Sequence, residues 1–168
     1  KMTFIAETLW FLLPFLIANQ CPGFARALGL PLSTTPVAAS ILGENKTIGA
    51  YYSAVVGASV TLWVQSIFAL PAEFIGANIL LLGICMGLGV ALGDHVKSFV
   101  KRTRGIVPGA RWWPFDQLDF LIGGIILSAP LVGVPGLTRF IMAVGLVLLI
   151  HPVGNYLGYR LGLRKVPW

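Results

Sequence analysis

Residues 48–92 carry a single charged side chain, Glu73, and the remainder is largely apolar or glycine. Pro71 divides this stretch into runs 48–70 and 74–92. A bilayer crossing takes about 20 predominantly apolar residues, so each run is of spanning length. Comparable runs occupy residues 2–18, 118–132 and 137–159. The pattern predicts an all-α integral membrane protein with about five transmembrane helices. Composition agrees, with 57% hydrophobic and 11% charged residues, where a soluble domain carries about 25% charged. Mean hydropathy is +0.85. Five spans and two long loops, 19–47 and 93–117, use up the 168 residues, so residues 1–168 are predicted to form a single transmembrane domain.

The loops differ in character. Residues 19–47 contain Pro22, Pro31 and Pro36 but also Phe24, Leu28, Leu30, Leu32, Val37, Ile41 and Leu42. Such a segment is predicted to lie in the membrane interface or to dip between helices. It ends abruptly polar, at residues 43–47. The run 4–17 resembles the apolar core of a signal peptide, but no small-residue cleavage site follows, which predicts a retained first span. Pro14 and Pro152 are predicted to kink their helices. Ser53, Ser59, Thr61 and Gln65 are expected to bond between helices, and Gly83, Gly87 and Gly89 to let helices approach closely. Cys21 and Cys85 fall in or at spans without metal-site spacing and are expected to be free thiols.

Orientation follows from charge. Arg26, Lys46, Lys97, Lys101, Arg102, Arg104, Arg111, Arg160, Arg164 and Lys165 fall on one side of the five spans, and Lys1 and Arg139 on the other. The positive-inside rule puts the N-terminus outside and both long loops in the cytoplasm. The net charge of +6 suits phosphates or anionic head groups. It does not suit nucleic acid, because it sits in membrane-proximal loops beside carboxylates.

Three of the six acidic residues and five of the twelve lysines and arginines fall in residues 94–119. Asp116 and Asp119 stand three apart at the start of the fourth span, on one helical face. Two carboxylates so close repel unless a cation lies between them. Mg²⁺ takes oxygen ligands and is commonly held by one or two carboxylates plus phosphate oxygens. An equally simple role for Asp116 is to cap the helix. On a helix continuing past residue 92, Asp94, Lys97 and Lys101 share one face, and Ser98 and Arg102 the next. These residues either pair along an interfacial helix or bind metal and phosphate. Lys46 and Thr47 offer a cation and a hydroxyl, Arg111 a further cation. Trp112, Trp113 and Phe115 read as an interfacial aromatic belt. His151 reads as a hydrogen-bonded structural histidine.

The run 97–102, Lys-Ser-Phe-Val-Lys-Arg, followed by 114–120, Pro-Phe-Asp-Gln-Leu-Asp-Phe, resembles the signature of the CDP-diacylglycerol synthases. That signature has a Ser, two variable residues and Lys-Arg, then a glycine-containing loop and a D-x-x-D pair. Ser98, Lys101, Arg102, Asp116 and Asp119 match it. The variant here, with the short chain and residues 42–47, looks most like the archaeal branch, the CDP-archaeol synthases. Gln117 stands where the bacterial signature has Arg, and Ser33 and Thr34 where the archaeal branch has an acidic residue.

The resemblance implies transfer of the cytidylyl group of CTP to a lipid phosphate at the cytoplasmic face of the cell membrane. For the archaeal branch the lipid is an isoprenoid-ether glycerol phosphate. It implies Asp94, Asp116 and Asp119 as ligands of one or two Mg²⁺ ions, with Lys101 also catalytic. Lys46, Thr47, Lys97, Ser98, Lys101, Arg102 and Arg111 are implied to bind substrate. A diacyl phosphatidate enzyme is the neighbouring alternative, and a lipid or ion transporter the non-enzymatic one. The residues leave the oligomeric state open.

Overall fold

A computed structural model describes residues 3–107 and 109–163. Lys1, Arg164 and Lys165, used above in counting charge, lie outside the described residues. The described chain is helical: α1 (Phe4–Ala27), a short α2 (Ala39–Leu42), α3 (Ile48–Phe68), α4 (Ile79–Thr103), α5 (Phe115–Val132) and α6 (Leu137–Arg160), with a 3-10 turn at Ala72–Phe74. One isolated bridge, Pro36 to Thr47, is the only β pairing among the described residues. Four helices, α1, α4, α5 and α6, are long and apolar enough to cross a membrane. The fifth long helix, α3, is diluted by Tyr51, Tyr52, Ser53, Ser59, Thr61 and Gln65. It still leaves Val56, Val60, Trp63 and Ile67 exposed along one side.

The helix boundaries depart from the predicted spans in one direction: the helices run further at the polar end. The first helix ends at Ala27 and not near residue 18, passing through both Pro14 and Pro22. Its last turns are held by packing, since Ala18 and Ala25 are buried and Cys21 lies against Gly57 of α3. Helix α4 starts at Ile79, after the 3-10 turn, and runs to Thr103 instead of ending at residue 92. The polar loop that follows therefore shrinks to residues 104–114. Helix α5 begins at Phe115, three residues before the predicted span, and runs through Pro130 to Val132. Pro152 likewise lies within α6.

Helix α4 is central, packed against α5 on one side and α3 on the other, while α1 backs onto α3. Two pairs of glycines make this possible. Gly83 and Gly87 face α3, where a Cβ would meet Ser59 and the Val55 backbone. Gly89 and Gly93 face α5, where a Cβ would strike the carbonyl oxygens of Gly123 and Asp119. Only glycine lets the two backbones come together there. Helix α6 is peripheral. It buries a single stripe, Ala143, Val147, His151 and Asn155, at four-residue spacing against α1 and α5.

The buried polar residues of α3 are satisfied differently from expectation. Ser53 and Thr61 donate to the carbonyls of Gly49 and Gly57 in their own helix, both at 2.7 Å. A hydroxyl can always reach the carbonyl one turn back, so it needs no second helix. Gln65 alone of the four bonds across helices, its amide donating to the Trp10 carbonyl at 2.6 Å. Ser59 Oγ is buried at the Gly83 contact without a partner. Cys21 and Cys85 are free, as expected.

Residues 28–47 do not dip between helices. Leu28, Leu30, Leu32, Val37 and Ile41 are all exposed. The segment folds back on the start of α3, with Val37 N–H donating to Lys46 O at 2.8 Å and Ile48 N–H to Thr35 O at 2.9 Å. At the opposite end of the bundle, Arg139 of α6 pairs with Glu73 at 3.0 Å and Glu7 at 3.4 Å and lies over the Phe4 ring.

Candidate active site

The predicted residues converge where α4 ends and α5 begins. Asp94, Lys97 and Lys101 recur at three- and four-residue steps on one face of α4, so successive turns stack them. The last turn of α4 carries Lys101 and Arg102, and the first turn of α5 carries Asp116. Each charge suits the dipole of its own helix end, and the short loop 104–114 sets the two ends beside each other. The glycine contact at Gly93 then presses α5 onto α4, so that Asp119 faces Lys97.

Six side chains from three elements alternate in sign. Lys46, at the entry to α3, pairs with Asp94. Lys97 Nζ lies 3.1 Å from Asp94, 3.2 Å from Asp116 and 2.8 Å from Asp119. Lys101 Nζ binds both oxygens of Asp116, at 2.9 and 3.1 Å, and the Ala110 carbonyl at 2.6 Å. The network is sheltered. The Lys101 side chain is 8% exposed and that of Asp119 only 6%, against 30% for Asp94 at the open edge. Buried charges persist when paired and hydrogen-bonded, and every member here has a partner.

Asp116 does not cap α5, because Pro114 holds the cap position. It sits in the first turn and accepts from the Trp112 backbone N–H, tying the loop to the helix. The aromatic residues divide. Trp113 and Phe115 are exposed, while Trp112 is half-buried, in ring contact with Phe115 and beneath Arg104.

Of the predicted substrate-binding residues, Lys46, Lys97 and Lys101 are in the network. Thr47 is buried at the start of α3, in the bridge with Pro36. Ser98 is buried on the adjoining side of α4, as is part of Arg102. Arg111 is exposed on the loop. His151 contacts Asn19 at 3.0 Å and the Phe120 ring, matching its structural reading. Three residues were not singled out from the sequence. Arg26 donates to the side chain and carbonyl of Asn45, at 3.1 and 3.3 Å, and braces the turn that carries Lys46. Tyr51 and His95 stack, with ring centroids 4.8 Å apart. No spacing rule joins residues on different helices, so the Tyr51–His95 contact between α3 and α4 was not legible in the sequence.

The carboxylates were expected around a metal ion. In the structure the cation among them is the Lys97 ammonium. Among the described residues no three acidic, histidine or cysteine side chains stand close enough to share an ion directly. The donor chemistry nonetheless fits a divalent cation. Three carboxylates point oxygens at one spot already stabilised by positive charge, and Mg²⁺ needs only one or two of them beside phosphate oxygens. Lys97, on a flexible four-carbon stem, is the group that such an ion would displace.

Comparison with known proteins identifies the family of the chain that carries this network. The CDP-archaeol synthase of Methanospirillum hungatei is 38% identical over 139 residues, covering 76% of this chain and 81% of the relative. That of Methanopyrus kandleri is 36% identical over 176 residues, covering 98% and 94%. That of Sulfolobus acidocaldarius is 30% identical over 164 residues, covering 95% and 96%. A solved structure described as an intramembrane enzyme for archaeal membrane lipids biosynthesis has a TM-score of 0.73 at 27% identity, covering 90% of this chain and 94% of that one. The CarS-like profile, described as CDP-archaeol synthase, matches residues 2–168. The charged network at the junction of α4 and α5 thus lies in a chain that belongs to the CDP-archaeol synthase family.

Proposed function

We propose that the chain transfers the cytidylyl group of CTP to the phosphate of an isoprenoid-ether glycerol lipid, giving CDP-archaeol and pyrophosphate. The observation that supports this most is the lysine–aspartate network, in which Lys97 is ringed by three carboxylates. It is a sheltered place where cations are already concentrated by fixed anions, at one end of an apolar bundle.

The chemistry asks little else. A phosphate monoester, with a second pKa of about 6, is mostly dianionic near neutral pH and is its own nucleophile. A lipid phosphate oxygen attacks the α-phosphorus of CTP, and the bond from that phosphorus to the bridging oxygen breaks. Pyrophosphate leaves with the bonding pair. No side chain has to remove a proton. The barrier is the approach of two anions, which positioning and preorganised positive charge lower. Lys46, Lys97 and Lys101 offer that charge, with Arg102 and Arg111 adjoining. Asp116 and Asp119, with Asp94, would hold one or two Mg²⁺ ions. A bound Mg²⁺ supplies charge neutralisation to the phosphate oxygens. Asp116 also positions Lys101 and, through it, the Ala110 carbonyl of the loop.

The membrane placement belongs to the same proposal. All five long helices cross, with α3 as the fifth. Its 21 residues reach about 32 Å at 1.5 Å per residue, matching the roughly 30 Å hydrocarbon core. Arg26, Lys46, Lys97, Lys101, Arg102, Arg104, Arg111 and Arg160 gather at the network's end and Arg139 at the other. That asymmetry orients the network towards the cytoplasm, where CTP is available.

The test is pyrophosphate release from CTP by purified protein with Mg²⁺. It is run with a geranylgeranyl-ether glycerol phosphate, with a diacyl glycerol phosphate, and without lipid. Release dependent on the ether lipid is expected. Preference for the diacyl lipid would change the substrate, and no lipid-dependent release from folded protein would overturn the reading.

A further inference from the structure

The network uses one side of α4. The adjoining side ends in a charge that nothing answers. Arg102 has Nε and Nη1 sealed from solvent and without a hydrogen-bond partner. No acidic residue pairs with it among the described residues. Asp94, Asp116 and Asp119 are engaged by the three lysines. Arg102 as a whole is half-buried, and a guanidinium with two nitrogens desolvated and unpaired is costly, so it calls for an anion from outside the chain. Its planar fork matches the geometry of a phosphate.

The surroundings distinguish which phosphate. Consecutive residues on a helix are turned by about 100°, so Arg102 adjoins Lys101 but faces a different quadrant. Ser98, buried, stands one turn before Arg102 on that side, and His95 one turn before Ser98. His95 donates from Nδ1 to the Ala91 carbonyl at 2.6 Å and leaves Nε2 buried without a partner. Just beyond this polar strip, α4 turns apolar and open. Leu92, Val96 and Phe99 recur at four and three residues and are 39%, 60% and 47% exposed. Arg102 continues that stripe three residues past Phe99. In a bilayer the stripe meets hydrocarbon chains, and Arg102 waits where their head group would sit. A nucleotide has no use for such a stripe, whereas a lipid phosphate has both parts.

We infer that Arg102, with Ser98 beside it, seats the phosphate of the lipid substrate. Its hydrocarbon chains lie along Leu92, Val96 and Phe99, and the network lysines take the triphosphate. The end of α4 is then the ridge across which the two substrates meet. This assignment rests on the proposed reaction and adds which face receives which substrate.

The test uses the full chain and pyrophosphate release, varying CTP and geranylgeranyl-ether glycerol phosphate separately. Arg102→Ala is expected to raise KM for the lipid about tenfold or more while KM for CTP stays within about twofold. Arg102→Lys is expected to recover part of the lipid affinity. Equal rises in both KM values, or a rise for CTP alone, would overturn the assignment. If Arg102→Ala has no measurable turnover, CTP binding without lipid is measured on folded Arg102→Gln. Affinity equal to wild type supports the lipid seat, and lost affinity refutes it. A wild-type protein inactive with every lipid phosphate would overturn the proposed reaction itself. An active wild type with unchanged lipid KM in Arg102→Ala would overturn this inference alone.

Discussion

Replacing Lys97 by methionine removes the ammonium at the centre of the network and keeps the length of the side chain. Asp94 retains Lys46, and Asp116 retains Lys101. Asp119 loses its only ion-pair partner among the described residues, and its side chain is only 6% exposed. Breaking a buried pair by removing one partner costs about 3–5 kcal/mol. The nearby Phe120 N–H, 2.7 Å from Asp119 Oδ1, still offers some compensation, which puts the expected loss near the lower figure, about 3 kcal/mol. For a chain of this size each kcal/mol moves the melting temperature by about 2–4 °C. Lys97→Met should therefore melt about 6–12 °C below wild type, followed by tryptophan fluorescence in detergent. Lys97→Met/Asp119→Asn should regain most of the loss, because the orphaned charge is gone. Added Mg²⁺ makes the same experiment a test of the carboxylates. At about 100 times its Kd, a cation bound only by folded protein adds about 2.7 kcal/mol. The gain should be larger in Lys97→Met than in wild type, where the ammonium competes. A single variant melting within about 2 °C of wild type would refute the electrostatic reasoning. Absence of any Mg²⁺ response in Lys97→Met would remove these carboxylates as a cation site.

Asp116→Asn and Asp119→Asn should each lower pyrophosphate release by about a hundredfold or more while the protein stays folded; near-normal turnover in either would make that aspartate structural. Gly93→Ala places a Cβ against the Asp119 carbonyl and should cost about 1–3 kcal/mol from overpacking. Turnover per folded molecule should also fall, because α5 must back away from Lys97, and a stable, fully active variant would sever the glycine contact from the site. Arg139→Ala, at the other end of the bundle, should lower the melting temperature by a few degrees, about 1 kcal/mol, with unchanged turnover per folded molecule in the same assay.

Much of the site was legible because it is local. Asp94, Lys97 and Lys101 fall on one face through helical periodicity alone, and the structure keeps them there. The pairing of Lys101 with Asp116 was not legible, since it depends on the short loop folding the end of α4 against the start of α5. Lys46 lies far from both in sequence and reaches Asp94 only because α3 packs on α4 through Gly83 and Gly87. The expected inter-helix bonds of Ser53 and Thr61 failed for a local reason, the carbonyl one turn back being always within reach. The prolines were uneven guides. Pro22, assigned to the first loop, lies among buried turns of α1, whereas Pro14 and Pro152 lie within helices as expected.

What the sequence determined alone was the medium and the chemistry at its edge. Apolar runs of bilayer length admit few folds, because backbone polar groups in hydrocarbon must be satisfied within the helix. The clustering of opposite charges in residues 94–119 marked where anions would be handled. What the tertiary structure decided was the occupant of the space between the carboxylates and the division of α4 into two faces. Both depend on which backbones touch. Glycines on α4 bring α5 close enough for Lys97 to serve three aspartates at once, and the same packing leaves Nε and Nη1 of the half-buried Arg102 without a partner beside an open apolar stripe. Periodicity places side chains around one helix axis, but only the contact between helices decides which of them meet.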